Sequence, residues 1–215
     1  LDLAARAVKQ SRVLNTGQVC NAAERVYVDS AVAEEFVAKL TAEMKSTRYG
    51  DPLSDQELDM GPIINKAGIA KIDGLVAGAK AEGAEVALGG NVADLGVGNH
   101  YEPTVLVNCR QDMEIIRKEI FGPVLPVVTV SGLDEAIEYA NDTVYGLTSS
   151  IYTRDLNSAL RACNELHFGE TYVNRENFEA MQGFDAGHGR SGIGGADGKH
   201  GMLEYTQTHL AYIQT

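Results

Sequence analysis

Val26-Tyr27-Val28-Asp29-Ser30-Ala31-Val32-Ala33-Glu34-Glu35-Phe36-Val37-Ala38-Lys39-Leu40-Thr41-Ala42-Glu43-Met44-Lys45 changes its hydrophobic period in mid-run. With Arg25 in front, residues 25–28 have the β-branched and aromatic character of a strand. Over residues 32–45, Ala33, Phe36, Val37, Leu40 and Met44 recur at helical spacing. A short strand feeding an amphipathic helix is the unit from which α/β proteins with a mostly parallel sheet are built.

The same alternation extends in both directions. Upstream, residues 2–13 read as a helix with Leu3, Ala7 and Val8 on one face, ended by Asn15-Thr16-Gly17. Downstream, Gly50-Asp51-Pro52 makes a turn into a polar, acidic loop, and residues 66–82 present Ile69, Ile72, Leu75, Val76 and Ala79 as a second long helix closed by Gly83. Residues 85–88 and 104–107 are strand candidates, with 89–99 a loop between them. Residues 124–130 form another, and Pro126 within it predicts an edge or a bulge. A helix starting near Ser131 carries Ile137 and Ala140 inward and stops at Asn141-Asp142; residues 149–153 follow as strand. Asp155 caps a helix through Leu166, and residues 171–174 are the next strand. Residues 183–201 hold eight glycines and predict a loop, while residues 203–213 suit a terminal strand in need of an edge, on this or another subunit. The expected architecture is one three-layer α/β domain.

With 215 residues, 44% of them hydrophobic, the chain can bury a sizeable core, which excludes disorder and collagen-like structure. Eighteen basic against thirty acidic residues give a net charge of -12, which disfavours nucleic acid and anionic membranes as partners. No apolar run approaches the roughly twenty residues of a membrane span, and the first residues lack the basic flank and apolar core of a signal peptide, so a cytoplasmic protein is expected. The chain begins inside an amphipathic pattern with no initiator methionine, as a piece of a longer protein would.

Three widely spaced cysteines without a C-x-x-C pair argue against a disulfide framework or zinc site. Cys163 falls on the stripe Leu156, Leu160, Cys163, Leu166 and reads as a buried structural thiol; Cys109, at a strand end, reads as filler. Cys20 stands in a non-periodic stretch flanked by amides and glycine, and is either a reactive thiol or an incidental loop cysteine. The five histidines show no ligand spacing, so no metal is expected. Gly187-His188-Gly189-Arg190-Ser191-Gly192 matches G-x-G-x-x-G, but no strand precedes it and no helical pattern follows, so it predicts no dinucleotide fingerprint.

Four motifs in register along the chain resemble the NAD(P)-dependent aldehyde dehydrogenases. Gly17-Gln18-Val19-Cys20 with Arg25 is similar to the family's nucleophile segment, and Glu119-Ile120-Phe121-Gly122-Pro123-Val124 to its cofactor-ribose motif. Asn141-Asp142 through Tyr145-Gly146-Leu147 is the third, and Gly169 to Asn174 with Ser191-Gly192-Ile193-Gly194 the fourth. Within the family, residues 174–184 and 194–201 resemble the lactaldehyde/glycolaldehyde dehydrogenase branch.

The resemblance implies a catalytic domain over residues 1–201 and an oligomerisation strand over 202–215, with the dinucleotide-binding domain, the oxyanion-hole Asn and the general-base Glu outside this chain. It implies that Cys20 attacks the aldehyde, that Glu119 and Phe121 hold the nicotinamide ribose of NAD, or NADP, and that the whole protein is a homo-dimer or homo-tetramer. Read without the resemblance, Glu119 is a solvated helix-end acid and Phe121 a core residue. Glu179 and Asp185 fall in the family's substrate funnel, where two acids imply a small polar aldehyde; the branch usually has His in place of Asp185 and Trp in place of His188. The isolated chain is expected to bind NAD weakly and to be inactive. Transfer of the acyl group to CoA, a cysteine hydrolase, and a non-catalytic interaction module are the competing readings.

Overall fold

The computed structural model describes residues 1–54 and 57–215, so the polar loop after Gly50-Asp51-Pro52 lies partly outside the described residues. In chain order the elements are α1 (Asp2–Val13), β1 (Val26–Asp29), α2 (Ala33–Lys45), α3 (Lys66–Ala81), β2 (Glu85–Leu88), β3 (Val92–Ala93), β4 (His100–Tyr101) and β5 (Thr104–Val107). They continue with α4 (Glu114–Arg117), β6 (Val124–Val130), α5 (Leu133–Asn141), β7 (Thr148–Ile151), α6 (Leu156–Glu165), β8 (Glu170–Val173), β9 (Asp185–Ala186), β10 (Gly195–Ala196) and α7 (Gly198–Glu204).

The central sheet has the order β1-β6-β5-β2, with β6 parallel to both neighbours and β2 antiparallel to β5. β6 shows why the α/β reading works. Val124, Val128 and Val130 join one core cluster with Ile72, Val76 and Ile116, whereas Leu125 and Val127 join another with Phe36, Leu40 and Met44. The period-2 alternation of a strand thus feeds two cores, one under α3 and α4 and one under α1 and α2, which gives helix, sheet, helix as three layers.

Pro126 does not mark an edge. β6 is a central strand, and its partners change at that point: Val124, Leu125 and Pro126 face β5, while Val127 to Val130 face β1. A residue without an N–H is tolerated there because its register partner is on the β5 side only. The loop expected over residues 89–99 contains β3, which pairs with β4 directly after it.

β7 and β8 form a separate parallel pair, against which α6 packs. Asp155 caps α6 as expected, accepting from the Ser158 N–H at 2.8 Å. The inward face of α6 is not the expected one. Ala159 and Ala162 are buried, whereas Leu156 is 71% exposed, Leu160 53% exposed, and Cys163 exposed. Helical spacing selected the larger apolar residues, but the small alanine face gives the closer approach. Cys109, which reads from the sequence as core or surface filler, is buried, and burial pushes its thiol up to about 11.

The glycine-rich segment is more ordered than its composition predicts: β9 and β10 pair antiparallel, a 3-10 turn covers Gly189–Ser191, and α7 begins at Gly198. Leu203 belongs to α7, and residues 206–215 carry no regular structure and lie exposed in the single chain, where a lone strand has no ladder to join. Among the described residues, no helix is long and apolar enough to cross a membrane.

Candidate active site

Cys20 sits on a tight turn between the 3-10 segment Leu14–Gly17 and β1, closed by the Ala22 N–H bonding to the Val19 carbonyl at 3.1 Å. The thiol is exposed, and the Cys20 backbone N–H has no acceptor among the described residues. Three successive residues before the turn, Asn15, Thr16 and Gly17, have left-handed φ values of 45°, 61° and 74°. That conformation is costly for the β-branched Thr16, which is buried and donates from Oγ1 to the Gly61 carbonyl at 3.0 Å. Gly17 is required for a second reason: a Cβ there would collide with the Gly122 carbonyl and lie 2.6 Å from Arg12 Nη2.

Gly122 belongs to the turn between α4 and β6 that also carries Glu119 and Phe121. Glu119 is half-buried, and its carboxylate has no protein hydrogen-bond partner among the described residues. It lines a cleft of about 700 Å³ together with Cys20, Tyr145, Thr148, Asn177 and Arg190. Phe121, with φ of 56°, lies on the same turn but does not line that cleft. Among the described residues no histidine lines the cleft, so Cys20 has no imidazole partner there of the kind a cysteine hydrolase uses.

The third and fourth sequence motifs meet each other. The Gly146 carbonyl accepts the N–H groups of Gly169 and His188, the Gly146 N–H donates to Ser191 Oγ, and a Cβ on Gly169 would overlap the Ala186 carbonyl. The G-x-G-x-x-G match is therefore a packing segment containing a 3-10 turn.

Asn21, next to the thiol, reaches the substrate-funnel candidates. Its side-chain amide donates to the Asn177 carbonyl at 2.8 Å and to Glu179 Oε2 at 3.1 Å. Asn177 is buried and bonded through its own amide to Thr148 and Ser150 of β7. Asp185, on β9, is not joined to Glu179 by a hydrogen bond among the described residues; burial, then repulsion from Glu179 and Asp197, holds its carboxyl above the usual range. Burial also raises Glu170, an effect opposed by its hydrogen bond from Tyr172 and augmented by Asp185, Glu179 and Asp197. Among the described residues, no group of three or more His, Cys, Asp or Glu could hold a metal ion.

The largest omission of the sequence reading is Arg12. It is fully buried, donating from Nη1 to the Ala23 carbonyl and from Nη2 to the Gly17 carbonyl, both at 2.6 Å, and pairing with Glu24 Oε1 at 3.0 Å. Glu24 in turn accepts the N–H groups of Ile120 at 2.8 Å and Phe121 at 3.2 Å. The only signal in the sequence was a charge on the end of a helix near a motif, which ordinarily means a solvated residue.

The family profile described as "Aldehyde dehydrogenase family" matches residues 1–210. Lactaldehyde dehydrogenase of Escherichia coli (strain K12) is 54% identical over all of this chain, which spans 45% of that relative's length. Its crystal structure superposes with a TM-score of 0.96 over 99% of this chain and 44% of its own. The 3,6-anhydro-alpha-L-galactose dehydrogenase of Vibrio sp. (strain EJY3) is 43% identical over 99% of this chain and 45% of its own. A betaine aldehyde dehydrogenase from Staphylococcus aureus, solved in complex with NAD+, is 35% identical with a TM-score of 0.89, over 94% of this chain and 41% of its own.

Proposed function

The chain belongs to the aldehyde dehydrogenase family, and from that premise we propose that it is the catalytic part of an enzyme oxidising a small polar aldehyde, of the lactaldehyde or glycolaldehyde kind, to its carboxylic acid. The observation that carries this reading is Cys20: an exposed thiol on an anchored turn, its own N–H without an acceptor among the described residues, sharing one cleft with Glu119.

The Cys20 thiolate adds to the aldehyde carbon, and the carbonyl oxygen becomes an alkoxide within reach of the Cys20 N–H, which has no competing acceptor among the described residues. Collapse of that thiohemiacetal expels a hydride and leaves a thioester on Cys20. Attack by water on the thioester releases the acid and returns the thiol. Glu119 fits a ribose, because a half-buried carboxylate with no protein partner among the described residues can accept from two vicinal hydroxyls. Phe121 supplies apolar surface from the same turn. A nicotinamide dinucleotide, NAD or NADP, supplies the acceptor for the hydride when bound. Glu179, within reach of Asn21 beside the nucleophile, accepts from a hydroxyl on the aldehyde's second carbon.

The 215 residues alone are proposed to bind NAD weakly and turn over negligibly, since the chain spans under half the length of the relatives it matches. The test is turnover of the full-length protein against a panel of aldehydes with NAD and NADP, with and without CoA. The reading expects a free acid, a requirement for dinucleotide and preference for hydroxyaldehydes. An acyl-CoA product would favour CoA acylation, and turnover without dinucleotide would overturn the reading.

A further inference from the structure

Cys20 and Glu119 lie on two irregular turns 99 residues apart in sequence, and neither turn has a helix or strand to hold it. What joins them is a short polar chain. Arg12 grips the Cys20 turn from both sides, through the carbonyls of Gly17 before it and Ala23 after it, while Ser11 Oγ of the same helix accepts the Ala23 N–H at 2.9 Å. Glu24 carries the grip across: one carboxylate meets the Arg12 guanidinium and, with both oxygens, two consecutive N–H groups at Ile120 and Phe121. These are charge-assisted bonds made by buried or nearly buried groups, with side-chain exposure of 0% for Arg12 and 18% for Glu24, so water competes weakly for them. The collision that any Cβ at Gly17 would make with the Gly122 carbonyl shows how closely the two turns are pressed together.

We propose that Arg12 and Glu24 are positioning residues which lock the nucleophile turn to the ribose-binding turn, so that Cys20 and the dinucleotide's ribose are held as one rigid unit. The proposal rests on the functional reading above. Neither side chain touches a reacting atom. Each acts through backbone groups that flank residues which do, and an error of about 1 Å in such a placement can cost about 100-fold in rate. Glu24 is suited to the task because only a carboxylate offers two acceptors to two adjacent N–H groups and still faces a guanidinium. Glutamine would keep one acceptor and turn an NH2 towards either a donor or Arg12.

The experiment uses the full-length enzyme with Glu24→Gln, Glu24→Asp, Arg12→Lys and the double variant Arg12→Lys/Glu24→Gln, and measures kcat, both KM values and the melting temperature. Glu24→Gln should lower kcat by about 10- to 100-fold and raise the dinucleotide KM, with the aldehyde KM within about 2-fold of wild type. Glu24→Asp, which keeps both acceptors, should recover part of the loss. The double variant should be little worse than its worse single, because both break one linkage. Glu24→Gln and Glu24→Asp carry the test alone if the Arg12 variants do not fold. Wild-type kcat in folded Glu24→Gln, with only the melting temperature lowered, would overturn the proposal, as would losses that multiply in the double variant. Wild-type rates in Cys20→Ala would overturn the functional reading itself.

Discussion

The turn that carries Cys20 and the segment that carries Glu179 and Asp185 are both irregular and both flanked by glycines, yet they are held in opposite ways. The first is fixed by buried charge and by the buried Thr16, its carbonyls gripped from α1 and its neighbour turn tied through Glu24. The second is held by neutral groups: two-residue strands, backbone bonds to Gly146, the amide of Asn21, and the buried Asn177 amide bonded to Thr148 and Ser150. Its carboxylates repel one another, whereas Glu24, behind the Cys20 turn, is paired with Arg12. Under the proposed function this division would put the chemistry on a frame that cannot drift and the selection of the aldehyde on a segment that can change without moving the frame. The contrast with the branch pattern at Asp185 and His188 falls on the second region, as that division requires.

The division can be broken from the second side. Replacing Glu179 by Gln would remove the proposed charged acceptor for a substrate hydroxyl, a bond worth about 1.5–3 kcal/mol, so kcat/KM on lactaldehyde should fall about 10- to 100-fold while propanal, which lacks the hydroxyl, is little affected. Equal losses on the two aldehydes would show that Glu179 supports the nucleophile turn through Asn21, and the two regions would no longer be separable.

A smaller effect sharpens the electrostatic half of the contrast. Asp185 has its carboxyl raised on folding, so the folded state holds its proton to higher pH than the unfolded chain does. Stability contributed by this group is therefore greatest below its unfolded value and declines as pH rises through the folded one. Asp185→Asn should remove that decline, and its melting temperature relative to wild type should increase from pH 4 to pH 7. A constant difference across that range would mean that burial and repulsion at this site are screened by solvent.

Most of the fold was legible because period-2 and period-3.6 patterns are local: β6 announces two cores by alternation, and α3 its inner face by Ile72, Leu75, Val76 and Ala79. Reading failed where the deciding fact was not local. Pro126 looked like an edge because its change of ladder partner is a property of the sheet. α6 turned its alanines inward because packing distance, which the sequence does not show, outweighed side-chain size. In the site, the polar, non-periodic loop left Cys20 either reactive or incidental, Glu119 was visible only through motif resemblance, and the structure adds that they share a cleft. Arg12 and Glu24 were invisible as partners, because a buried ion pair between a helix end and a loop looks like two solvated charges until the loop is folded.

Intact-mass and peptide analysis of the full-length enzyme, quenched during turnover of lactaldehyde with NAD, shows whether Cys20 is the nucleophile. Cys109 is a buried thiol and Cys163 an exposed one outside the cleft, so the three cysteines provide their own controls. An acyl group on the peptide containing Cys20, and on neither of the others, is the predicted result. An acyl group on Cys163 alone, or full turnover with no acylated cysteine, would contradict it.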